Sequence, residues 1–138
     1  MPRPRAIVAA LLTDSDGRYL IGQRARHKSH AWQWEFPGGK VEAEESEPQA
    51  LARELREELG IGAVIGTLAA RVRHRYGEGP ELEIAFYWVA SYSGRIENRI
   101  FEAIAWAGPV EMASFDFLAA DSGLIADLAS GRIAAANH

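Results

Sequence analysis

A short stretch of the chain holds a large share of its carboxylate side chains. Positions 42–58 hold seven of the nineteen carboxylates and two arginines, so this segment has a net charge of −5. The whole chain of 138 residues has a net charge of −4, which leaves the remainder at +1. The seven acidic residues are Glu42, Glu44, Glu45, Glu47, Glu54, Glu57 and Glu58. The sequence is therefore that of a near-neutral protein with one strongly acidic segment.

Three of these carboxylates share one face of a predicted helix. Leucines recur every four residues from 51 to 59 and mark a stripe that would face the core. On the same helical wheel, Glu54, Glu57 and Glu58 occupy an arc of about 100° beside that stripe. Like charges at this spacing repel one another, and a bound divalent cation would reverse the effect. Carboxylate oxygens suit Mg²⁺, Mn²⁺ or Ca²⁺. A solvated acidic helix face is the alternative.

The residues around this arc follow a known pattern. From Gly39 the chain continues with five residues, Glu45, seven residues and the run Arg53-Glu54-Leu55-Arg56-Glu57-Glu58-Leu59-Gly60-Ile61. This run matches every fixed position of the Nudix hydrolase signature, G-x5-E-x7-R-E-U-x-E-E-x-G-U, in which U is aliphatic. With Phe36-Pro37-Gly38-Gly39-Lys40 just upstream, most of the chain resembles the MutT-like nucleoside triphosphate pyrophosphohydrolases.

The resemblance implies both a fold and a reaction. The fold is α+β, an α/β/α sandwich around a mixed sheet, in which the signature forms a loop-helix-loop within a single domain of residues 1–138. The reaction is Mg²⁺-dependent attack of water at phosphorus, which converts a nucleoside triphosphate into the monophosphate and pyrophosphate; Mn²⁺ could substitute. Phosphoryl chemistry of this kind needs charge neutralisation and positioning more than a side-chain nucleophile.

The resemblance also implies roles for residues of the signature. The implied metal ligands are Glu54, Glu57, Glu58 and a backbone carbonyl of Gly38 or Gly39. The residues implied to be catalytic are Glu45, Arg53, Glu54 and Glu57. Arg53 would pair with Glu45 and hold the loop against the helix. Which glutamate acts as general base differs among family members and stays open, as does the number of metal ions.

Residues outside the signature are expected to bind the substrate. Arg24 and Lys40 match positions near the phosphates in the resembling enzymes, and Trp34 and Phe36 could enclose the base. Asp121 stands where enzymes that cleave 8-oxo-dGTP carry an asparagine. An ionised aspartate only accepts hydrogen bonds, which would suit cytosine, or guanine contacted at N1 and N2. The chain is also similar to members that prefer cytidine nucleotides.

Several of these assignments have alternatives. Asp121 could instead cap the helix that follows it, and Trp34 could belong to the core. The arginines that alternate along 71–75 could add positive charge near the phosphates or form a solvated strand face. A further acidic metal ligand of the resembling enzymes has no direct match here, so Glu97 or Glu102 would have to supply it.

The elements that must position these residues follow from sequence pattern. Predicted strands cover 6–12, 19–23, 64–76, 81–92 and 103–107. Asp16-Gly17 predicts a tight turn that joins the first two strands into a hairpin, and 77–80 joins the next pair. Alternation along the fourth strand predicts one apolar face turned inward.

The remaining segments are predicted to be a loop and helices. Residues 24–45 form a loop that leads into the acidic helix. That helix would be capped by Ser46 or Glu47 and ended by Gly60. Helical pieces follow over 112–133, where Ser122 could cap the last helix.

Composition excludes several classes of protein. The absence of cysteine excludes disulfides, thiol catalysis and thiolate zinc sites, and leaves the compartment open. The negative charge is wrong for a protein that coats a nucleic-acid polymer. No run approaches the ~18 apolar residues of a membrane span, and the N-terminal apolar run is short and has no cleavage site for a signal peptide. We therefore expect a cytoplasmic protein, as a monomer or weak dimer, and the resemblance implies that its partner is a nucleotide.

Three hypotheses remain after this reasoning. The leading hypothesis is a Mg²⁺-dependent pyrophosphohydrolase that removes modified nucleotides, such as 8-oxo-dGTP or cytidine derivatives, from the nucleotide pool. The second is a Nudix hydrolase of ADP-ribose, a nucleotide sugar or a dinucleotide. The third is a non-catalytic nucleotide-binding module, which an intact signature disfavours.

Overall fold

The computed structural model describes residues 3–133, which form seven strands, two α-helices and two short 3₁₀ helices. The strands are β1 (Arg5–Leu11), β2 (Tyr19–Gln23), β3 (Trp34–Glu35), β4 (Gly38–Lys40), β5 (Gly62–Arg75), β6 (Glu81–Ser93) and β7 (Ala103–Ala107). The helices are α1 (Glu47–Leu59) and α2 (Ser122–Ala129), and the 3₁₀ helices are Glu111–Ser114 and Ala119–Asp121. Within residues 3–133, neither helix has the length and apolar character that crossing a bilayer requires.

The strands form two sheets. The larger sheet has the order β4-β1-β6-β5, with β1 and β6 parallel and the other neighbours antiparallel. The smaller sheet has the order β3-β2-β7 and is antiparallel throughout. The predicted α+β class with a mixed sheet is confirmed.

Strand β1 lies between two hydrophobic cores. Val8 and Ala10 pack with the leucines of α1, whereas Ala9 and Leu11 pack with the apolar side of α2. Successive side chains of a strand point to opposite faces, so the larger sheet is covered by a helix on each side. The predicted α/β/α sandwich is therefore observed.

Helix α1 is held to the sheet by its leucine stripe. Leu51, Leu55 and Leu59 are fully buried, and each burial stabilises the fold by roughly 1.5–3 kcal/mol. The helix begins with a capping box, in which Ser46 accepts the backbone N–H of Gln49 and the Gln49 side chain accepts that of Ser46. It ends at Gly60 in the left-handed conformation, as predicted.

The second predicted hairpin is confirmed, but its inner strand is buried more fully than predicted. β5 and β6 pair antiparallel with register shifts between Val64 and Ala70. Ile84 and Phe86 face the core with α2, as the alternation predicted. Ala85 is also buried, because it faces the core with α1. A strand in the middle of a three-layer sandwich has no solvent face.

The first predicted hairpin is wrong in its pairing. A tight turn does form, with the N–H of Gly17 donating to the carbonyl of Asp14 at 3.1 Å. Beyond one bridge between Thr13 and Tyr19, however, β1 and β2 diverge and join different sheets. Turn residues specify a local reversal of the chain, whereas the partner of each strand depends on distant segments.

Two further differences affect the site. The predicted loop over 24–45 contains β3 and β4, which add short strands to the two sheets. Helix α2 begins at Ser122, so this residue lies inside the helix and does not cap it. Asp121 occupies the cap position but makes no capping hydrogen bond through its side chain.

Candidate active site

The three glutamates of the acidic arc on α1 differ in the exposed fraction of their side chains. Glu58 lies nearest the leucine stripe and is 7% exposed. The Glu54 side chain is 16% exposed, and the Glu57 side chain is 54% exposed. This order follows the helical wheel, because residues further around the helix from the stripe point further into solvent.

Glu58 is a buried carboxyl group with acidic neighbours. It accepts the backbone N–H of Gly38 at 3.2 Å. Burial raises the pKa of Glu58 well above its usual range, and the nearby carboxylates of Glu54 and Glu35 raise it further. Without a cation, this environment therefore disfavours the charged form of Glu58.

The two glycines of β4, Gly38 and Gly39, are closely packed. A Cβ atom on Gly39 would lie 2.5–2.7 Å from the carboxyl atoms of Glu54. A Cβ atom on Gly38 would overlap the backbone carbonyl oxygen of Val8. Glycine at these positions lets the backbone of β4 approach both the carboxylate and strand β1.

Arg53 ties the preceding loop to the helix. Its guanidinium donates to both carboxylate oxygens of Glu45, at 2.7 and 3.0 Å, and to the carbonyl of Lys40 at 3.0 Å. The remaining nitrogen donates to Glu54 at 3.0 Å and to Glu57 at 3.1 Å. The predicted pair of Arg53 with Glu45 is observed, and the same arginine also orients two of the proposed metal ligands.

A cavity of about 580 Å³ opens beside the two glycines of β4. Gly38, Gly39, Glu54 and Glu58 line one part of it. Its other lining side chains include Arg24, Glu35, Tyr76 and Asp121. The volume falls within the range of small-molecule sites.

Four of the five predicted phosphate and base contacts lie at this cavity, and one lies outside its lining. Arg24 and the exposed Lys40 both line it. Phe36 also lines it but is 3% exposed and belongs mainly to the core. Trp34 is not among the lining residues, and its indole packs edge-on against Phe115 with ring centroids 5.0 Å apart. The geometry thus favours the alternative role of Trp34, in the core.

Arg24 is partly committed to neighbours within the protein. Its guanidinium donates to Glu35 at 2.9 Å and to the carbonyl of Ser29 at 2.8 Å. Burial raises the pKa of Glu35, and the charge of Arg24 opposes that shift. Glu35 is a site residue that the sequence analysis missed. Its signal was an ionisable side chain inside the aromatic run 34–36, a position that is costly unless the group is paired.

Asp121 lies 5% exposed in the same cavity. Burial raises the pKa of Asp121 to about 8, and the carboxylate of Glu35 adds to this, while the Phe36 backbone N–H acts in the opposite direction. The argument for an acceptor-only aspartate is therefore corrected. At neutral pH this carboxyl group is protonated, so it can donate as well as accept, as an asparagine does.

The other acidic and basic candidates lie elsewhere. Glu102 pairs with Arg26 and Glu97 pairs with Arg99, and neither glutamate lines the cavity. The alternating arginines of β5 are also engaged in local contacts. Their partners are Glu47 and Glu83 for Arg71, Glu81 and Glu83 for Arg73, and the carbonyl of Gly79 for Arg75.

The donor set at the cavity fits a hard divalent cation. Glu54 and Glu58 present oxygen ligands next to each other, and a cation would supply the positive charge that stabilises the ionised form of Glu58. Over residues 3–133, however, no three acidic, histidine or cysteine side chains are gathered into a ready-made metal site. Arg53 holds Glu57 at 3.1 Å on the solvent side, so Glu57 would have to turn toward the cavity when a cation binds.

Divalent cations are expected to raise the melting temperature of the protein. A cation that binds the folded state and not the unfolded state stabilises the fold by mass action. At a concentration of ~100 times the dissociation constant, the gain is about 2.7 kcal/mol. Thermal melts with and without millimolar Mg²⁺ measure this, with Glu54→Gln as the matched control. A wild-type melting temperature that does not respond to Mg²⁺ or Mn²⁺ would contradict a site formed without substrate.

The fold and the site together define a class of protein. Helix α1 presents clustered carboxylates to a cavity that is also lined by Gly38 and Gly39 of β4. This arrangement is typical of enzymes that use a cation to act on an anionic substrate. Comparison with known proteins gives the family. The NUDIX domain model matches residues 2–128. The chain therefore belongs to the Nudix family, as its signature predicted.

Individual relatives agree with this assignment. The CTP pyrophosphohydrolase of Escherichia coli is 37% identical over 118 residues, which cover 86% of this chain and 87% of the relative. An 8-oxo-dGTP diphosphatase of Proteus vulgaris is 33% identical over 93 residues, covering 67% of this chain and 82% of the relative. The crystal structure of a MutT NUDIX hydrolase from Burkholderia pseudomallei has a TM-score of 0.80 and 28% identity, covering 91% of this chain and 98% of that one.

Membership places this chain among hydrolases of phosphoric anhydride bonds. Nudix hydrolases act on nucleotide substrates and generally use divalent metal cations. The predicted family, fold and enzyme class are confirmed. The roles of individual site residues stay predictions.

Proposed function

We propose that this protein hydrolyses a nucleoside triphosphate to the monophosphate and pyrophosphate with Mg²⁺, and that it acts on modified or cytidine nucleotides. The observation that carries the proposal is a single cavity lined by two kinds of side chain. Glu54 and Glu58 suit a cation and its phosphates. Asp121 and Tyr76 suit the edge of a base. The names of the relatives, a CTP pyrophosphohydrolase and an 8-oxo-dGTP diphosphatase, support both substrate classes.

The reaction consumes one water and breaks one phosphoric anhydride bond. The oxygen of water bonds to phosphorus, and pyrophosphate leaves. A bound Mg²⁺ neutralises phosphate charge and lowers the pKa of coordinated water. Glu54, Glu57 and Glu58 would hold the cation, together with a carbonyl of the Gly38-Gly39 turn.

Side chains of the protein would position the other groups. Lys40 is exposed at the cavity and would neutralise phosphate oxygens. Arg24 would act there too, although it first has to share its donors with Glu35. Arg53 and Glu45 are positioning residues, because they fix the loop and the ligand carboxylates without lining the cavity themselves.

The partner we propose is the nucleotide alone, with no nucleic-acid polymer or membrane. Since nucleoside triphosphates are made and used inside the cell, we propose a cytoplasmic enzyme. A monomer or weak dimer completes the proposal.

A substrate panel tests the activity. Canonical ribo- and deoxyribonucleoside triphosphates, 8-oxo-dGTP, modified cytidine triphosphates, ADP-ribose and a nucleotide sugar are each incubated with enzyme and Mg²⁺. We expect phosphate to be detected only after inorganic pyrophosphatase is added, because the product is pyrophosphate. Glu57→Gln is the inactive control. If no triphosphate is cleaved, or if Glu57→Gln matches wild type, the proposal is wrong.

Asp121 is expected to make base preference depend on pH. Below a pH of about 8 its carboxyl group is protonated and can donate to the base, and above that pH it only accepts. The ratio of kcat/KM between the preferred base and a rival should therefore change between pH 7 and 9. Asp121→Asn should retain the ratio seen at pH 7 and lose this pH dependence. An unchanged ratio for wild type across this range would rule out Asp121 as the group that contacts the base.

A further inference from the structure

We infer that the phenol of Tyr76 donates a hydrogen bond to an acceptor atom on the base of the bound nucleotide and thereby takes part in base selection. The inference rests on the proposed function, because it requires a base in the cavity. Neither the signature nor the other residues predicted from sequence include Tyr76. The evidence is its position, its unused hydrogen-bond donor and the packing that fixes its ring.

Tyr76 lies where three segments meet at the cavity. It directly follows the last residue of β5 and lines the cavity together with Ala120 and Asp121. Its hydroxyl oxygen accepts the backbone N–H of Ala120 at 3.0 Å. This bond connects the end of β5 to the turn that carries Asp121. The hydroxyl is therefore next to the group already proposed to contact the base.

The hydroxyl proton of Tyr76 has no acceptor in the part of the protein that the structure describes. A phenol can donate one hydrogen bond and accept others, and the bond from Ala120 uses only an acceptor site. Over residues 3–133, no side chain or carbonyl receives the phenol's own hydrogen. A half-buried donor at the cavity is available to a ligand with an acceptor at that position.

The ring of Tyr76 is held in place from two directions. The imidazole of His30, from the loop after β2, lies with its centroid 4.5 Å away. The imidazole of His74, from β5, lies 4.4 Å away on an edge-on approach. A ring fixed in this way presents its hydroxyl without a further cost in side-chain entropy when the ligand arrives.

The charges around the hydroxyl leave Tyr76 as a neutral donor. Burial raises the pKa of Tyr76, and the carboxylates of Asp121 and Glu35 raise it further, while Arg24 and the N–H of Ala120 act in the opposite direction. The phenol thus keeps its proton at neutral pH. Arg24 already donates to Glu35 and Ser29, whereas the phenol of Tyr76 is a neutral donor at the cavity beside the segment that carries Asp121.

The chemistry that fits is a base edge with a donor and an acceptor side by side. Cytosine presents an amino group next to the ring nitrogen N3, and a guanine in its usual tautomer presents N–H groups next to O6. Asp121 would contact the donor of such an edge and Tyr76 the acceptor. A role limited to holding the turn 119–121 is the competing explanation, and it predicts equal effects on every base.

The first experiment compares Tyr76→Phe with wild type across the triphosphate panel. Tyr92→Phe is the matched control, because it deletes the same hydroxyl from a ring that is 40% exposed on β6. We expect Tyr76→Phe to reduce the kcat/KM ratio of the preferred base over a rival by about five- to tenfold, the effect of one neutral hydrogen bond. The control should keep the wild-type ratio. Equal losses for all bases, or no loss, would overturn the inference.

The second experiment removes the acceptor from the substrate. An analogue with a weakened acceptor is turned over by wild type and by Tyr76→Phe; for cytosine N3 is replaced by C–H, and for guanine O6 is replaced by sulfur. If Tyr76 donates to that atom, the analogue should be several-fold poorer for wild type and no poorer for the variant. Should Tyr76→Phe fail to fold, equal turnover of analogue and parent nucleotide by wild type still overturns the inference.

The two proposals fail in different ways. A wild-type protein that cleaves no triphosphate overturns the proposed function and this inference with it. A wild-type protein that cleaves triphosphates, while Tyr76→Phe keeps the base preference, overturns the role of Tyr76 alone.

Discussion

Replacing Glu54 with glutamine is expected to lower kcat/KM about a thousandfold, because a metal-assisted step worth several kcal/mol is lost. Glutamine keeps the size of the side chain and one carbonyl oxygen that can still accept from Arg53. The substitution removes a negative charge that a divalent cation would bind beside Gly38 and Gly39 of β4. The fold should survive, because Glu54 packs against Gly39 and is not one of the buried leucines that hold α1 to the sheet.

The measurement is kcat/KM for the preferred triphosphate at several Mg²⁺ concentrations. Glu44→Gln is the matched control, because Glu44 belongs to the same acidic segment and is exposed on the loop before α1. We expect the control to stay within about twofold of wild type, as surface charges screened by solvent contribute little. A Glu54→Gln enzyme with more than a tenth of wild-type activity would show that this carboxylate is not a metal ligand.

Replacing Arg53 with lysine is expected to lower kcat/KM by about 10- to 100-fold, the usual loss when a residue that orients metal ligands is changed. The guanidinium of Arg53 contacts Glu45 through two nitrogens and also reaches Glu54 and the carbonyl of Lys40. An ammonium group has no planar fork and cannot make these contacts together. The loop before α1 should loosen, and the ligand carboxylates should lose their common orientation.

Arg56→Lys is the control for this experiment. Arg56 lies three residues further along α1 with an exposed side chain that points away from the carboxylates. Both variants keep the charge of the protein, so a difference between them reports geometry. We expect Arg53→Lys to require more Mg²⁺ for half-maximal rate, whereas Arg56→Lys should match wild type. If the metal requirement of Arg53→Lys is unchanged and its rate is normal, the positioning role is wrong.

The parts of the fold that were predictable are those set by local pattern. The leucine repeat, the serine before it and Gly60 after it specify α1 with its correct ends, because each is a short-range feature of one helix. The hairpin of β5 and β6 followed from two strand-like runs and a glycine-rich turn between them. The prediction of the first hairpin was wrong for a related reason. Its turn is local, but β1 pairs with β6 and β4, and these partners lie far along the chain.

The same distinction applies to the site. The spacing of Glu54, Glu57 and Glu58 on one helix indicated a cation site without any structure. Glu35 and Tyr76 could not be found in this way, because no repeat or signature connects them to α1. Strand pairing and a turn near the C-terminus bring these two residues to the cavity.

The sequence by itself determined the family, the acidic helix face and the pairing of Arg53 with Glu45. The family and the Arg53–Glu45 pair followed from the resemblance of the 23 consecutive positions 39–61 to the Nudix signature. The acidic face followed from spacing on one helix, where helix geometry converts spacing into position. Only the tertiary structure decided that the acidic arc is graded, with Glu58 buried, Glu54 partly covered and Glu57 turned to solvent. It also decided that Asp121 is buried beside Glu35, which favours its protonated form at neutral pH. Burial and the pKa depend on which distant segments pack together, and these contacts form only when the sheets and helices assemble.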